Sequence, residues 1–118
     1  MTDVLNISAW TGMNDRLRNN GVEYSGMEFE WDPRKDRENQ EKHGVAFMEA
    51  TEVFDDPLQW TISDPDHSIS EHRYLTTGRS KRHRIIMVSH TEDEDDHIRI
   101  INARTVTPAE RKVYEEGK

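Results

Sequence analysis

The stretch that decides the fold runs from residue 71 to residue 104 and reads EHRYLTTGRSKRHRIIMVSHTEDEDDHIRIINAR. Three short runs in it, 72–77, 84–90 and 97–104, have the patterning of strands. They are separated by a basic, glycine-containing tip and by a run of acidic residues. This pattern predicts three β-strands that pair as an antiparallel meander. Because residues 85–88 are continuously apolar, we expect the middle strand to be covered on both faces.

The same stretch carries a patch of positive charge within an acidic protein. The chain has a formal net charge of −8, yet residues 72–91 contain five Lys or Arg, three His and no Asp or Glu. A cationic patch in such a chain indicates an anionic ligand, and phosphate is the commonest large one. The net charge argues against nucleic-acid binding over the whole surface, but it does not argue against a local groove.

Length and composition limit the class of protein. A chain of 118 residues with 32% apolar and 34% charged residues indicates one domain with a small core. It has no cysteine, which excludes disulfides, thiolate zinc sites and a cysteine nucleophile. No apolar run reaches the roughly 18 residues of a membrane span, and the N-terminal residues lack the basic region and apolar core expected of a signal peptide. We therefore expect a cytoplasmic protein that does not bind a membrane.

The sequence before the meander predicts further elements, in the order strand 27–31, helix 33–42, helix 45–54 and strand 58–63. Asp32 is the expected N-cap of the first helix, and Gly44 is its expected left-handed C-cap. The body of this helix has no apolar residue, so we expect a solvated surface helix or, alternatively, an interaction element. The second helix has one apolar stripe that would cover a face of the sheet.

The C-terminal residues carry the strongest local signal. Thr107, Pro108 and Glu110 have the spacing of a capping box, which predicts a final helix to about Glu116. The predicted class is therefore α+β, in the order β-α-α-β-β-β-β-α, with helices packed on an antiparallel sheet. Residues 27–118 form the predicted domain. Residues 1–26 are an expected N-terminal extension, poorly ordered or accessory, unless Met27 is the natural start.

Five short motifs resemble one family. They are FEWDP at 29–33, EKHGV at 41–45, VFDDP at 53–57, E-x-R-Y-L-x-x-G-R-S at 71–80 and IRII-x-AR at 98–104. In this order they resemble the BrnT toxins of bacterial type II toxin–antitoxin systems, and the similarity extends from Met27 to Tyr114. The first helix departs from the family, because it carries charged residues where members usually carry alanine and leucine.

The resemblance implies a RelE-like fold and a ribonuclease that halts translation by cutting RNA. It also implies a cognate antitoxin of the BrnA type with a ribbon-helix-helix DNA-binding part. The complex would be a 2:2 heterotetramer that represses its own operon, so the toxin would meet operator DNA only through the antitoxin.

RNA cleavage without a metal uses the ribose 2′-hydroxyl as nucleophile and needs proton transfer and stabilisation of a charged phosphate. Histidine suits the first task and arginine the second. The candidate catalytic residues, with arginine for phosphate and the others for proton transfer, are Arg73, Arg99, Arg104, His90 and Glu71. The candidate RNA-binding residues are Arg79, His72, Tyr74, Lys81, Arg82 and Arg84. No metal or cofactor is expected.

Each candidate also has a structural interpretation. Arg73 could simply pair with Glu71, and His90 could be a core histidine. Trp60 could stack a base, although burial in the core is expected of it. In a regular strand Arg99 shares a face with Ile101 and Arg104 shares one with Ile98, so alternation does not settle which face holds the groove.

Two other functions remain open. The chain could be a non-catalytic binding module that acts as co-repressor with a DNA-binding antitoxin. It could also be a metal-dependent enzyme that uses the acidic residues 92–96, although like charges in a hairpin loop more simply resist edge-to-edge pairing. The turn at 63–67 matches no specific metal-binding spacing, and a plain turn is expected there.

Overall fold

The computed structural model describes residues 22–24, 26–64, 71–92 and 96–117. Its strands are β1 (Val22–Tyr24), β2 (Met27–Glu30), β3 (Trp60–Ser63), β4 (Tyr74–Arg79), β5 (Ile85–Glu92) and β6 (His97–Thr105). Its helices are α1 (Pro33–His43), α2 (Phe47–Thr51) and α3 (Pro108–Glu116), and a 3₁₀ turn at Glu52–Asp55 continues α2. The α+β class is confirmed. The predictions made for residues 1–21, 65–67 and 93–95 lie outside the described residues.

The strands form one mixed sheet in the order β1-β2-β6-β5-β4-β3. Strands β4, β5 and β6 pair antiparallel in chain order, which confirms the predicted meander, and β3 adds to its outer side. The expectation of a wholly antiparallel sheet is wrong at one pairing, because β2 lies parallel to β6 with Phe29 opposite Ile98. These segments are far apart in sequence, and alternation within a strand does not reveal such a partner.

The described part of the N-terminal region begins with a strand. Residues 22–24 pair antiparallel with β2, so that Val22 lies opposite Phe29 and Tyr24 opposite Met27. This hairpin crosses the boundary at residue 26 that the sequence suggested between extension and domain. Among the described helices, none is long and apolar enough to cross a membrane.

The core lies between one face of the sheet and the two N-terminal helices. It is built from buried apolar side chains of the strands and of the α2 region, namely Phe29, Trp31, Val45, Phe47, Ala50, Val53, Phe54, Ile86, Val88, Ile98, Ile100 and Ala103. Within β5, Ile86 and Val88 are fully buried and Met87 between them is only half-buried. Ile85, which alternates to the opposite face, is only 4% exposed. The expected cover on both faces is therefore confirmed at Ile85 and Ile86 and is incomplete at Met87.

Helix α1 is held to the sheet by a polar side chain rather than by an apolar stripe. Asn39 is buried, and its Nδ2 donates to the carbonyl oxygens of Val45 at 2.9 Å and Ala103 at 2.7 Å. Its Oδ1 accepts from the Ala103 N–H at 3.1 Å. On the same helix Asp36 accepts from the Phe47 N–H at 2.9 Å, at the start of α2. Helix α1 is therefore solvated, as expected, except on the face that meets β6, where Asn39 is buried.

The predicted helix ends are confirmed. Asp32 accepts from the Arg34 N–H at 2.8 Å, and Gly44 ends α1 with a φ of 69°. At α3, Thr107 and Glu110 form the complete capping box. These signals are reliable because each cap depends on residues no more than four positions apart.

Candidate nucleic-acid interface

A β-bulge in β6 decides where its arginines lie. His90 of β5 pairs with Ile100, whereas its neighbour Ser89 pairs with Asn102, so Ile101 has no residue opposite it. A bulge of this kind adds one residue to a strand and reverses the alternation beyond it.

The reversal places Arg99 and Arg104 of β6 on the same face of the sheet. Ile98 and Ala103 are both buried on the helix side, although five positions separate them. Arg99 and Arg104 are likewise five positions apart, and each lines a surface depression that also contains Ile101. We call this side of the sheet, which faces away from α1 and α2, the open face.

Three adjoining depressions mark the open face and its end. The largest, about 350 Å³, is lined by Asp64, Arg73, Leu75, Met87, Ser89, Ile101, Asn102 and Arg104. A smaller one, about 70 Å³, is lined by Asp32, Lys35, Glu71, Arg73, Arg99, Ile100 and Ile101. The third, about 250 Å³, lies at the end of the sheet and is lined by Glu30, Glu71, His72, Thr91, Glu92, His97 and Arg99. Four predicted catalytic residues therefore lie together around shared depressions, namely Glu71, Arg73, Arg99 and Arg104.

The three arginines differ in how far their charge is already compensated. Arg99 is exposed, and none of the described residues forms a hydrogen bond or ion pair with its guanidinium. Arg73 is less exposed, and its Nη2 lies 3.6 Å from Glu71 Oε2, as the structural interpretation of the sequence expected. Of the three arginines, Arg99 is thus the most available to a phosphate, and the Arg73–Glu71 pair lies beside it.

Arg104 is held by α3. Its Nη1 donates to Glu110 Oε1 at 2.8 Å and its Nη2 to Glu110 Oε2 at 2.9 Å. The hydrogen bond from Arg104 is the largest cause that lowers the pKa of Glu110 to about 2. The same pairing raises the pKa of Arg104. A phosphate at Arg104 would therefore compete with a bidentate carboxylate.

His90 does not fit its predicted catalytic role. It is fully buried, its Nε2 lies 2.7 Å from Thr76 Oγ1, and its ring packs edge-on against Phe54 at 5.0 Å. Burial lowers the pKa of His90 to about 4, so the ring is neutral at pH 7. The physical reason is alternation along β5, which places His90 on the same helix-facing side as Val88. The core interpretation of His90 is the one that the geometry supports.

His72 and Tyr74 lie at the end of the sheet. His72 is exposed, its Nε2 lies 2.6 Å from Ser63 Oγ, and its ring stacks on Tyr74 with centroids 4.7 Å apart. On its other side Tyr74 stacks on His90 at 5.8 Å. His72 also lines the depression that contains Arg99, so an exposed imidazole lies near the available guanidinium.

The arginines of the basic tip, Arg82 and Arg84, are directed to an acid of α2. Arg84 donates from Nε and Nη2 to Glu49 at 3.1 and 2.5 Å, and Arg82 Nη1 lies 3.7 Å from the same carboxylate. Glu49 is buried, and the hydrogen bond from Arg84 is the largest cause that lowers its pKa. The Lys81 N–H donates to Glu52 at 3.0 Å. The expected RNA contacts of Lys81, Arg82 and Arg84 thus lack support, since none of the three lines the depressions of the open face.

Arg79 is likewise part of a structural contact. Its N–H donates to Asp56 Oδ2 at 2.8 Å, and its guanidinium lies 5.8 Å from the centre of the Tyr114 ring. The hydroxyl of Tyr114 donates to the same Asp56 oxygen at 2.5 Å. This arrangement anchors α3 to the segment after α2, away from the open-face depressions.

Trp60 is not in the core, contrary to expectation. It is 40% exposed in β3, and Leu58 and Ile62 on the same segment are 72% and 46% exposed. The reason is the position of β3 at the edge of the sheet, where alternate side chains point to the open face instead of the helices. Nothing in the pattern of residues 58–63 distinguishes an edge strand from an inner one.

The sequence did not single out three further residues near Arg99. Lys35 of α1 lines the smallest depression, and His97 Nε2 lies 3.2 Å from Glu30 Oε1. The sequence could have indicated His97, because it lies two positions before Arg99 in the same strand and therefore on the same face. It could not have indicated Glu30, because the parallel pairing of β2 with β6 leaves no signal in the local sequence. Within the described ranges, no group of three or more His, Asp or Glu side chains is arranged to hold a metal ion.

Comparison with known proteins gives one family. Residues 31–110 match the model of the family described as the ribonuclease toxin BrnT of type II toxin–antitoxin systems. Among solved structures, the chain is similar to the Brucella abortus ribonuclease toxin BrnT, with 20% identity and a TM-score of 0.48 over 65% of this chain and 92% of that one. No curated protein gives a significant match. The family assignment therefore rests on the family match, which covers more than half of the chain.

Proposed function

Because the chain belongs to the BrnT family of ribonuclease toxins of type II toxin–antitoxin systems, we propose that it cleaves RNA internally on the open face of its sheet. The observation that carries this proposal is the bulge at Ile101, which brings Arg99 and Arg104 to the face that also holds Arg73. Guanidinium groups suit this task because they present paired donors to phosphate and keep their charge.

The proposed reaction needs no metal ion. The ribose 2′-oxygen attacks the adjacent phosphorus, its proton passes to a base, and the bond to the 5′-oxygen breaks as that oxygen gains a proton. Arg99 and Arg73 would stabilise the charge on the phosphate. Glu71 and His72 are the proposed proton-transfer groups, because both line the depression that contains Arg99. His97, hydrogen-bonded to Glu30, is an alternative acid in the same depression.

The finer points of the family's biology are proposals as well. We infer that RNA cleavage halts translation in the cytoplasm, that the fold is of the RelE type, and that a BrnA-type ribbon-helix-helix antitoxin neutralises the toxin. A 2:2 complex would bind operator DNA through the antitoxin alone. The exposed apolar side chains Trp60 and Ile62 on the edge strand β3, and Leu58 just before it, support a protein partner, because monomeric proteins rarely leave such edges uncovered.

A non-catalytic role as co-repressor is the second candidate. It is favoured by the carboxylates that already compensate Arg104 and Arg84, namely Glu110 and Glu49. In that case the purified protein would leave RNA intact while sharpening operator binding by its partner.

The test compares cleavage of a labelled single-stranded RNA, with a chelator present, by the wild type, Arg99→Ala and the control Arg111→Ala. Within the part of the chain that the structure describes, the Arg111 side chain pairs only with Glu115, 3.0 Å away on the exposed side of α3. We expect Arg99→Ala to cut about a hundredfold more slowly, the usual cost of losing one charge-stabilising donor, and to unfold at the wild-type urea concentration. Arg111→Ala should cut normally.

Full cleavage by an Arg73→Ala, Arg99→Ala double variant would refute the site. Loss of wild-type cleavage in the chelator would refute the metal-independent reaction. Absence of any cleavage by the wild type, together with tighter operator binding by its partner, would favour the co-repressor.

A further inference from the structure

The open face has a regular layout of charged and uncharged rows across its strands. Residues paired on neighbouring strands share a face, so Thr91 and Arg99 form one row and Met87 and Arg104 another. Thr91 and Met87 are four residues apart on the unbulged strand β5, which separates the two arginine rows by roughly 13 Å along the strands. Between them lies the row of Leu75, Ser89 and Asn102.

The depression between the two arginine rows has mixed chemistry. Leu75, Met87 and Ile101 give the largest depression, of about 350 Å³, an apolar floor. Ser89 and Asn102 add a hydroxyl and an amide, and neither side chain is hydrogen-bonded to another group in the described part of the chain. A flat ring with polar edges matches this combination: its face meets apolar atoms and its edge meets donors and acceptors.

The charged side chains of the depression lie at its ends, and its centre is uncharged. Arg73 and Arg104 line it and Arg99 lies in the row beyond, so cations stand on either side of the apolar floor. Asp64 also lines it and disfavours an anion beside that wall. The neutral part of a ligand therefore fits the centre, and its negative groups fit the ends.

We propose that this depression binds one unstacked nucleobase of single-stranded RNA, while the neighbouring phosphates lie towards Arg99 and Arg73 on one side and Arg104 on the other. The proposal rests on the proposed ribonuclease function and adds a substrate class to it. A base inside an A-form duplex is stacked and cannot enter such a depression, so duplex RNA is excluded as the ligand. An apolar protein segment would fill the floor but would bring no anion to Arg99.

A first experiment detects the base without requiring cleavage. The full-length protein is labelled with ¹³C at its methionine methyl groups, and Met87→Leu identifies the Met87 signal. Adenosine, guanosine, cytidine and uridine 5′-monophosphates are titrated separately, with ribose 5-phosphate as the base-free control. We expect at least one nucleotide to shift the Met87 signal saturably and ribose 5-phosphate to leave it in place. Equal shifts from both, or no shift from any nucleotide, would overturn the proposal.

A second experiment measures affinity for 2′-O-methyl hexanucleotides, which lack the attacking hydroxyl, with and without one abasic position. Leu75→Ser removes part of the floor. Ile62→Ser is its matched control, because Ile62 pairs with Leu75 in the same row but does not line the depression. We expect the wild type and Ile62→Ser to prefer the fully based oligomer by about tenfold, as stacking or apolar contact of one base allows. In Leu75→Ser the preference should fall to twofold or less.

The two proposals fail in different ways. Normal cleavage with no discrimination against the abasic oligomer would leave the ribonuclease standing and remove the base site. A base-dependent shift of the Met87 signal without any RNA cleavage would support the base site and remove the ribonuclease function. If Leu75→Ser left the base preference unchanged and abolished binding of the antitoxin, the floor would belong to a protein interface and the base site would be wrong.

Discussion

Glu110 and Arg104 offer a way to separate stability from catalysis at a predicted phosphate-binding residue. Both guanidinium Nη groups are engaged by one carboxylate, at 2.8 and 2.9 Å, and Glu110 also accepts from the Thr107 N–H at 2.9 Å to close the α3 capping box. Arg104→Ala would therefore loosen a helix end as well as remove a cation. The informative variants are Arg104→Gln, Glu110→Gln and the two combined, because glutamine keeps size and hydrogen-bonding capacity.

The size of the coupling follows from the pKa of Glu110. A carboxyl whose pKa falls from 4.5 to about 2 holds its proton more weakly by roughly 3 kcal/mol, which is a ceiling for the stabilisation. The side chains of Arg104 and Glu110 are 36% and 31% exposed, so solvent screening reduces the expected coupling to about 1–2 kcal/mol. Part of the lowering of the Glu110 pKa also comes from hydrogen bonds with Thr107, which the double variant does not remove.

The pH dependence has a definite sign. Because folding lowers the pKa of Glu110, its contribution is complete above pH 4.5 and is lost as the pH falls towards 2. Urea unfolding of the four proteins at pH 7 gives the coupling free energy, and a pH series down to 2.5 gives its decline. The stability of Glu110→Gln should lack the part of the pH-dependent decline that belongs to Glu110. A coupling below about 0.3 kcal/mol at pH 7, within the usual error of additivity, would refute the reasoning.

Activity then distinguishes the two partners. Glu110→Gln leaves Arg104 in place and removes its competitor, so RNA cleavage should be kept or increased. Arg104→Gln should lose cleavage, although both variants lose similar stability. Equal losses of cleavage would mean that the pair acts through α3 alone.

Two further outcomes are expected. Asn39→Ala should lower the free energy of unfolding, measured in urea, by about 3 kcal/mol, because it leaves buried backbone groups of Val45 and Ala103 without a partner. The control Gln40→Ala, at the exposed neighbouring position, should change the free energy of unfolding by under about 0.5 kcal/mol. For His90 the folded pKa of about 4 lies below the ordinary value of 6.5, so stability should decline as the pH falls from 6.5 to 4, by up to roughly 3 kcal/mol. His90→Gln should lack that part of the decline, and an NMR titration that placed the imidazole pKa near 6.5 would contradict its burial.

The elements that the sequence predicted well are those fixed by neighbouring residues. The N-caps of α1 and α3 are confirmed. In each, a side-chain oxygen accepts a hydrogen bond from a backbone N–H only two or three positions further along the chain. The meander is confirmed because its strands follow one another in the chain. Family membership was also predictable, since five motifs in order carry it.

Features set by distant contacts could not be predicted. Asn39 looks like any polar residue of a solvated helix, and only the position of Ala103 on β6 reveals its role. The burial of His90 and the exposure of Trp60 both depend on which strand is central and which is at the edge. The bulge at Ile101 has no proline or glycine to mark it, so alternation alone left the face of Arg104 undecided.

The arginines of this chain differ in whether a carboxylate from elsewhere in the sequence compensates their charge. Arg84 pairs with Glu49, thirty-five positions away, and Arg104 with Glu110, six positions away. Counting basic residues therefore points to the tip around Arg84, where the cations are already compensated, whereas Arg99 has no such partner among the residues that the structure describes. If availability to an anion is what matters, the single exposed arginine beside the bulge should dominate RNA affinity over the more numerous cations of the tip. An Arg82→Ala, Arg84→Ala variant that lost more RNA affinity than Arg99→Ala, at equal stability, would reverse this ranking.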